Sequence, residues 1–359
     1  MNLLADIEGI KYTPFLCRNL KEYDLSDLDN AFKTDATFIL RIDENNKIAI
    51  SWWVSPKRTR SYPYARVYDS LGFQGKRVTL IPIIKDEGKD GDRDFLQWDT
   101  ISLMSLLGIY VIICYYKNAE KNLKFEHKIT NQSFDIEYIK TKIEELLSYQ
   151  SNALHWNITQ IENIAKVAER ALEYYKEISK KLKVKLHSAR GIERRIKEIL
   201  NEKNSFLNFS RDLAEKAQNR EYQTIQSKEK LSGQKAKITI KNYLGGCYFL
   251  TCDEIVIEGD KISLIECKHS RNSFIPSISD IKDGLIKMIL FSNLKNLRIN
   301  DKEFHHKSIL KLTSAKSFDL NIIRKSDFLS LLNKESQINN FSVFLNDKDL
   351  KTIVGLKEK

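Results

Sequence analysis

The sequence predicts an α/β chain, of the α+β mixed kind, in which mixed sheets are joined by amphipathic helices. Two observations carry this. Short β-branched runs bounded by Gly, Asp, Asn or Pro recur in the first and last thirds of the chain, as strands require. Between them lies a stretch whose apolar residues return every three or four positions, the period of one helix face. The expected organisation is an N-terminal α/β region over 1–130, a helical region over 131–233 and a second α/β region over 234–359.

In the first region the β-branched runs predict strands over 36–42, 48–54, 77–84 and 109–115. Residues 100–116 are uncharged and near the minimum length of a membrane span. Gly108 divides them, however. Ile101, Leu103, Met104, Leu106 and Leu107 suit a buried helix, and the run from 109 to 114 suits a buried strand, so no membrane contact is expected. The 85–94 loop is acidic. Asp86, Glu87, Asp92, Asp94 and Asp99 have the donor chemistry of a metal site, but a solvated loop leading into a helix is the simpler reading.

Residues 55–66 read as a basic loop. Lys57, Arg58, Arg60 and Arg66 interleave with Tyr62, Tyr64, Pro56 and Pro63. Arginine pairs bidentately with phosphate or guanine, and tyrosine stacks on bases. Nucleic-acid contact and an ordinary basic surface loop are both open here.

In the helical region Ile158, Ile161, Ala165, Ala168, Leu172 and Tyr175 form an a/d-like packing stripe. Gly191 interrupts it, and Ile192, Ile196 and Leu200 resume it. Two long helices are expected, packed on each other or on a second subunit. Lys180, Lys181, Lys183 and Lys185, followed by Arg190, Arg194 and Arg195, form a cationic arm able to follow a phosphate backbone.

In the last region, strands are expected over 236–243 and 248–250, with a turn at Gly245-Gly246, and over 308–312 and 320–323. Helices are expected over 277–294 and 325–332. Residues 255–257 and 262–265 flank Glu258-Gly259-Asp260-Lys261 and read as a β-hairpin.

Composition narrows the function. The 359 residues carry 59 Lys and Arg against 48 Asp and Glu, a net charge of +11 that favours a polyanionic partner. The five cysteines contain no C-x-x-C pair, which suits core filler in a reducing, cytoplasmic setting. Residues 1–10 include Asp6 and Glu8 and do not read as a signal peptide. Phosphate-loop, nucleophile-elbow and H-E-x-x-H motifs are absent from the sequence.

The chemistry-bearing residues sit on the hairpin. Residues two apart on a strand share a face, so Glu266 and Lys268 point one way and Cys267 the other. Asp253, at the start of the first strand, comes beside the end of the second. Two converging carboxylates need a cation, and oxygen donors favour Mg²⁺. Asp253, Glu266 and the main-chain carbonyl of Cys267 are the expected ligands, with Lys268 beside them. Glu254 competes for the first acidic role, and His269 can reach phosphate from the strand end.

This pattern resembles the core of the PD-(D/E)xK nuclease superfamily, which includes type II restriction endonucleases, over roughly residues 215–315. Asp253 matches the first acid, Glu266 the second and Lys268 the lysine, although Cys252 replaces the proline of the family pattern. The resemblance implies a restriction-endonuclease-like mixed sheet flanked by helices. It also implies a further acid on a preceding helix, with Glu221 the candidate and Glu229 the alternative. It further implies Mg²⁺-dependent, sequence-specific hydrolysis of double-stranded DNA leaving 5′-phosphates, a homodimer, and a cognate methyltransferase as functional partner. Lys57, Arg58, Arg60, Tyr62, Arg66, Arg190, Arg194, Arg195, His269 and Arg271 are the expected DNA contacts. Two rivals remain: a ligand-activated defence or repair nuclease of the same fold, and a non-catalytic basic nucleic-acid-binding protein.

Overall fold

A computed structural model describes residues 1–57, 61–188, 234–242, 247–300, 302–316 and 326–355. The chain forms two compact units that are discontinuous in sequence. One comprises Met1–Asn19, Arg60–Gly72 and Ala214–Lys359; the other comprises Leu20–Thr59 and Phe73–Leu213. The boundaries of the contiguous division expected from sequence therefore fall elsewhere, because N-terminal pieces complete the sheet of the last region.

The first unit is mixed α/β. Its strands are β1 (Asn2–Ile7), β2 (Gln234–Asn242), β3 (Cys247–Glu258), β4 (Lys261–Ser270), β5 (Lys295–Ile299), β6 (Lys302–Glu303), β7 (His305–Ser314), β8 (Phe341–Leu345) and β9 (Lys348–Asp349). They form one nine-stranded sheet in the order β6-β5-β1-β2-β3-β4-β7-β8-β9. β2, β3 and β4 run as an antiparallel meander. β7 then pairs parallel with β4, and β8 parallel with β7. Gly259 opens the two-residue turn between β3 and β4 at φ +65, the left-handed conformation for which glycine is suited.

Its helices are α1 (Ser61–Ser70), α2 (Ile278–Phe291), α3 (Asp327–Ile338) and α4 (Leu350–Gly355). α2 joins β4 to the strands that lead into β7, and it packs on both β4 and β7. Ser277 caps it by accepting from the Asp280 N–H at 3.2 Å. Ile281, Leu285, Met288 and Ile289 on α2 are buried, as their spacing requires.

α1 corrects the loop reading of 55–66. From Ser61 onward the segment is helical, and it packs against α2. Pro63 lies in the first turn, where its missing N–H costs no intrahelical bond. Tyr62 and Arg66, four apart, meet on the helix with the guanidinium 5.0 Å from the ring centroid. Lys57 belongs to the other unit, where its ammonium is 3.8 Å from Asp94, and Arg58 and Arg60 lie outside the described residues.

A second buried network ties the N-terminal segment to α3. Glu335, 0% exposed, accepts from the Tyr12 and Tyr68 hydroxyls at 2.6 Å each and from the Phe15 N–H at 2.8 Å. Burial raises its pKa, against the hydrogen bonds that lower it. The buried Lys282 ammonium on α2 pairs with Asp69 on α1.

In the second unit, strands Glu22–Asp24, Thr37–Arg41, Lys47–Trp52, Lys76–Pro82 and Tyr110–Cys114 form a five-stranded mixed sheet in that order. The helix-then-strand expectation for 100–116 is met by Trp98–Leu106 and Tyr110–Cys114. Among the described residues no helix is long and apolar enough to cross a membrane.

The long amphipathic stretch forms Ala153–Glu162 and Ile164–Leu182. Its buried face runs through Ile161, Ile164, Ala168, Ala171, Tyr175 and Ile178. Ala165 and Leu172 of the expected stripe are half-buried. The buried face continues at the same spacing across the break at Asn163. The second helix ends at Lys183, φ 54, so the cationic arm does not continue it through Val184, which is buried. Arg190, Arg194, Arg195, Glu221, Glu229 and the strand expected at 320–323 lie outside the described residues.

Truncating Glu335 to Ala leaves two hydroxyls and an amide N–H without their acceptor. The expected cost is about 2–4 kcal/mol of stability, read as a lower urea midpoint, with Glu335→Gln losing less. An unchanged midpoint for Glu335→Ala would contradict the role of this network.

Candidate active site

The site is built where the β2–β3–β4 meander changes register. Gln234 pairs with Ile255 but Ala236 pairs with Cys252, so β3 carries one extra residue at Asp253-Glu254. A bulge of this kind re-aims side chains, and here two successive acids are buried, Asp253 at 6% and Glu254 at 1% exposure. Glu254 pairs with Ile265 across the hairpin, which sets Asp253 beside Glu266. The Asp253 Oδ2 accepts from the Cys267 N–H at 2.9 Å.

Glu266 is the centre of the arrangement. It is 1% exposed, and each of its oxygens meets an ammonium. Lys268 Nζ lies 2.9 Å from Oε1, and Lys287 Nζ donates to Oε2 at 2.7 Å. Lys287 also donates to the Thr251 carbonyl at 3.1 Å. Lys268 pairs in addition with Asp283. Asp283 and Lys287 are one turn apart on α2, so a single helix face supplies both. Gly284 lets that face come close: a Cβ there would stand 2.7 Å from Leu310 Cδ1 and 3.3 Å from Lys268 Cε.

Electrostatics separate the two acids. Burial pushes the Asp253 carboxyl up to about 7, with repulsion from Glu266 adding to it and both lysines opposing. Burial also acts to raise Glu266, but Lys268 and Lys287 outweigh it and hold its pKa below the usual range. Lys268 is desolvated as well, yet Asp283 and Glu266 keep it charged, with its pKa raised. The pair thus contains one carboxyl that takes up a proton near neutrality and one that stays ionised. This division is common in sites that hold cations or move protons, and it also occurs in structural ion-pair networks.

Asp253, Glu266 and Lys268 therefore come together as expected from their positions on the hairpin. Lys287 and Asp283 were not assigned a role from the sequence. The signal available was their four-residue spacing on the helix that follows the hairpin, with Gly284 between them. Glu254 is buried beside Asp253, but the charges that act on Asp253 are those of Glu266, Lys287 and Lys268. Cys267 is buried at 3% and donates its main-chain N–H to Asp253. The His269 ring nitrogen is 2.9 Å from the Thr313 hydroxyl, and Arg271 is exposed just past the end of β4.

In the 85–94 loop the acids disperse to separate partners. Asp86 meets His187 at 2.8 Å, Glu87 pairs with Lys85 at 2.6 Å, and Asp94 accepts from Ser55 at 2.6 Å. Among the described residues no group of three or more His, Cys, Asp or Glu is placed to hold a metal ion. The hairpin supplies a pair of carboxylates only.

No family model matches this chain, and neither a curated protein nor a solved structure does.

The pH dependence of stability follows from Asp253. Its folded pKa lies above the unfolded value, so the folded chain keeps a proton that the unfolded chain releases. That contribution is full below the unfolded carboxylate range and is lost as pH rises through about 7. Glu266 is shifted the opposite way, and its contribution is complete above the usual glutamate range. Between about pH 5 and about pH 8, wild type should therefore lose stability relative to Asp253→Asn, on the order of 1–3 kcal/mol. Urea midpoints of the metal-free proteins across this window test it; parallel pH profiles for the two proteins would refute it.

Proposed function

We propose that this chain is a Mg²⁺-dependent endonuclease of restriction type acting on double-stranded DNA, with its catalytic centre at Asp253, Glu266 and Lys268. The observation that carries the reading is the junction of the β3 bulge with the end of β4. Two buried carboxyl groups from adjacent strands meet a half-buried lysine two residues past the second acid there. Supporting it are the meander, the helix that follows the hairpin and the strand that returns parallel to β4. These elements suit the mixed sheet flanked by helices that the resemblance implies. The excess of 59 basic over 48 acidic residues suits a polyanionic substrate.

The donor set fits Mg²⁺, which needs only one or two carboxylates and takes its remaining oxygens from water and phosphate. Asp253, Glu266 and the Cys267 carbonyl would hold it. When bound, such an ion lowers the pKa of water and neutralises charge that develops on phosphate. Lys268, kept charged by Asp283 and Glu266, supplies a fixed positive group for the scissile phosphate. Asp283 orients Lys268, and the Cys267 N–H orients Asp253. His269 and Arg271 at the strand end, and Arg66 on α1, are proposed DNA contacts. A homodimer and a cognate methyltransferase belong to the same proposal.

One observation favours the rival, non-catalytic reading: both oxygens of Glu266 are already satisfied by lysines, as in a structural ion-pair network. The two readings separate in one experiment. Wild type should cut unmethylated plasmid and phage DNA into discrete fragments with Mg²⁺ and not with EDTA. Glu266→Gln and Lys268→Ala should cut at least about 100-fold more slowly while still binding DNA in a salt-sensitive way. Binding that ignores Mg²⁺, with no cleavage by wild type, would favour the non-catalytic protein.

A further inference from the structure

We propose, resting on the nuclease reading above, that Lys287 is a resident counter-cation of the metal site. Its ammonium occupies the Glu266 oxygen that a divalent cation would take, and releases it when the cation binds.

Three observations lead here. First, Glu266 is 1% exposed, with Oε1 on Lys268 at 2.9 Å and Oε2 on Lys287 at 2.7 Å. Each oxygen keeps a second lone pair, but a divalent cation bound there would sit against a buried ammonium, so ligation of Glu266 is favoured when one of these groups moves. Second, Lys268 is locked in place. It is shared by Glu266 and Asp283, and it rises from a strand paired in parallel with β7. The α2 backbone at Gly284 closes over its side chain, leaving a Cβ there only 3.3 Å from Lys268 Cε. Third, Lys287 reaches the site from α2 on a long unbranched side chain, and its second partner is a neutral group, the Thr251 carbonyl at 3.1 Å, where that of Lys268 is the Asp283 carboxylate. Four methylenes allow the ammonium to swing out while the helix stays fixed.

Charge balance explains why such a device is useful. Asp253 and Glu266 repel each other. Without a cation between them, the buried pair would be costly to keep adjacent. Lys287 supplies positive charge in the metal-free protein. A divalent ion supplies more, and the displaced ammonium is then available to a DNA phosphate. Metal binding and release of Lys287 are thus a single exchange.

The test uses the full chain without DNA. Mn²⁺ is titrated and the electron paramagnetic resonance signal of the free ion gives the affinity. Lys287→Gln should bind Mn²⁺ at least about tenfold more tightly than wild type, whereas Lys287→Arg, which keeps the charge, should bind like wild type. Adding Asp253→Asn to Lys287→Gln should abolish the gain and so place it at this site. Equal or weaker binding by Lys287→Gln, in a protein whose wild type binds Mn²⁺, would overturn the proposal and leave the nuclease reading standing. No binding by either protein would overturn the metal-nuclease reading itself, and the proposal with it.

A second measurement needs no variant. Reductive methylation of wild type, quantified by peptide mass spectrometry, should modify Lys287 several-fold faster when Mg²⁺ is added, with Lys268 unchanged. Unchanged or slower labelling of Lys287 under conditions where Mn²⁺ binds would also overturn the proposal.

Discussion

Glu266 keeps its charge inside the protein, and much of the first unit is arranged around that requirement. Taking a carboxylate out of water costs several kcal/mol, which is recovered only with well-placed opposite charge. Lys268 is two residues away on the same strand face, so strand geometry provides it directly. Lys287 comes from α2, which must lie close enough to β4 for its side chain to reach. Gly284 permits that approach, and the Ser277 cap fixes where the helix begins. Lys268 is in turn held by Asp283 from the same helix face. Strand, bulge and helix form one electrostatic assembly, so a change at any of them alters the charge state of the others.

The same logic explains why distant segments enter this unit. β1 pairs parallel with β2, so the meander does not end at an open edge. The segment after β1 is then held by Glu335, whose buried carboxyl gathers two tyrosine hydroxyls and a backbone N–H. α1 packs on α2, and the Lys282–Asp69 pair joins them. The buried carboxyl of Glu335 is met by neutral hydrogen-bond donors and the Lys282 ammonium by the Asp69 carboxylate, as a low-dielectric interior requires. The site is therefore supported from behind by pieces more than two hundred residues away in sequence.

Local signals made much of this legible beforehand. The hairpin, its two-residue turn, the helix after it and the helix–strand pair at 98–114 all follow from β-branched runs, turn residues and apolar spacing. Asp253, Glu266 and Lys268 could be set together because a hairpin converts sequence offsets into distances. Other features could not be read this way. Lysines spaced along a helix are ordinary surface residues, so the four-residue spacing of Asp283 and Lys287 marks a shared face but does not say that it lies against β4. Residues 61–66 read as part of a loop because arginines, tyrosines and a proline masked the start of a helix whose Pro63 sits harmlessly in the first turn. The stripe over 158–175 kept its period, but the buried face is centred on Ile164, Ala171 and Ile178, which leaves Ile158, Ala165 and Leu172 half-buried at its margin. Spacing gives the period, but what packs against a helix decides which of its positions are buried most deeply.

Sequence alone determined the types of the hairpin, the helix after it and the 98–114 pair, the basic charge balance and the cluster of acid, acid and lysine on one hairpin. These rest on interactions between residues a few positions apart, where backbone geometry leaves little choice. Tertiary structure alone decided that both Glu266 oxygens meet lysines, that Asp253 titrates near neutrality while Glu266 stays ionised, that β1 joins the sheet of the last region and that α1 packs on α2. Those outcomes depend on desolvation and on distances between residues far apart in the chain, which no local pattern specifies.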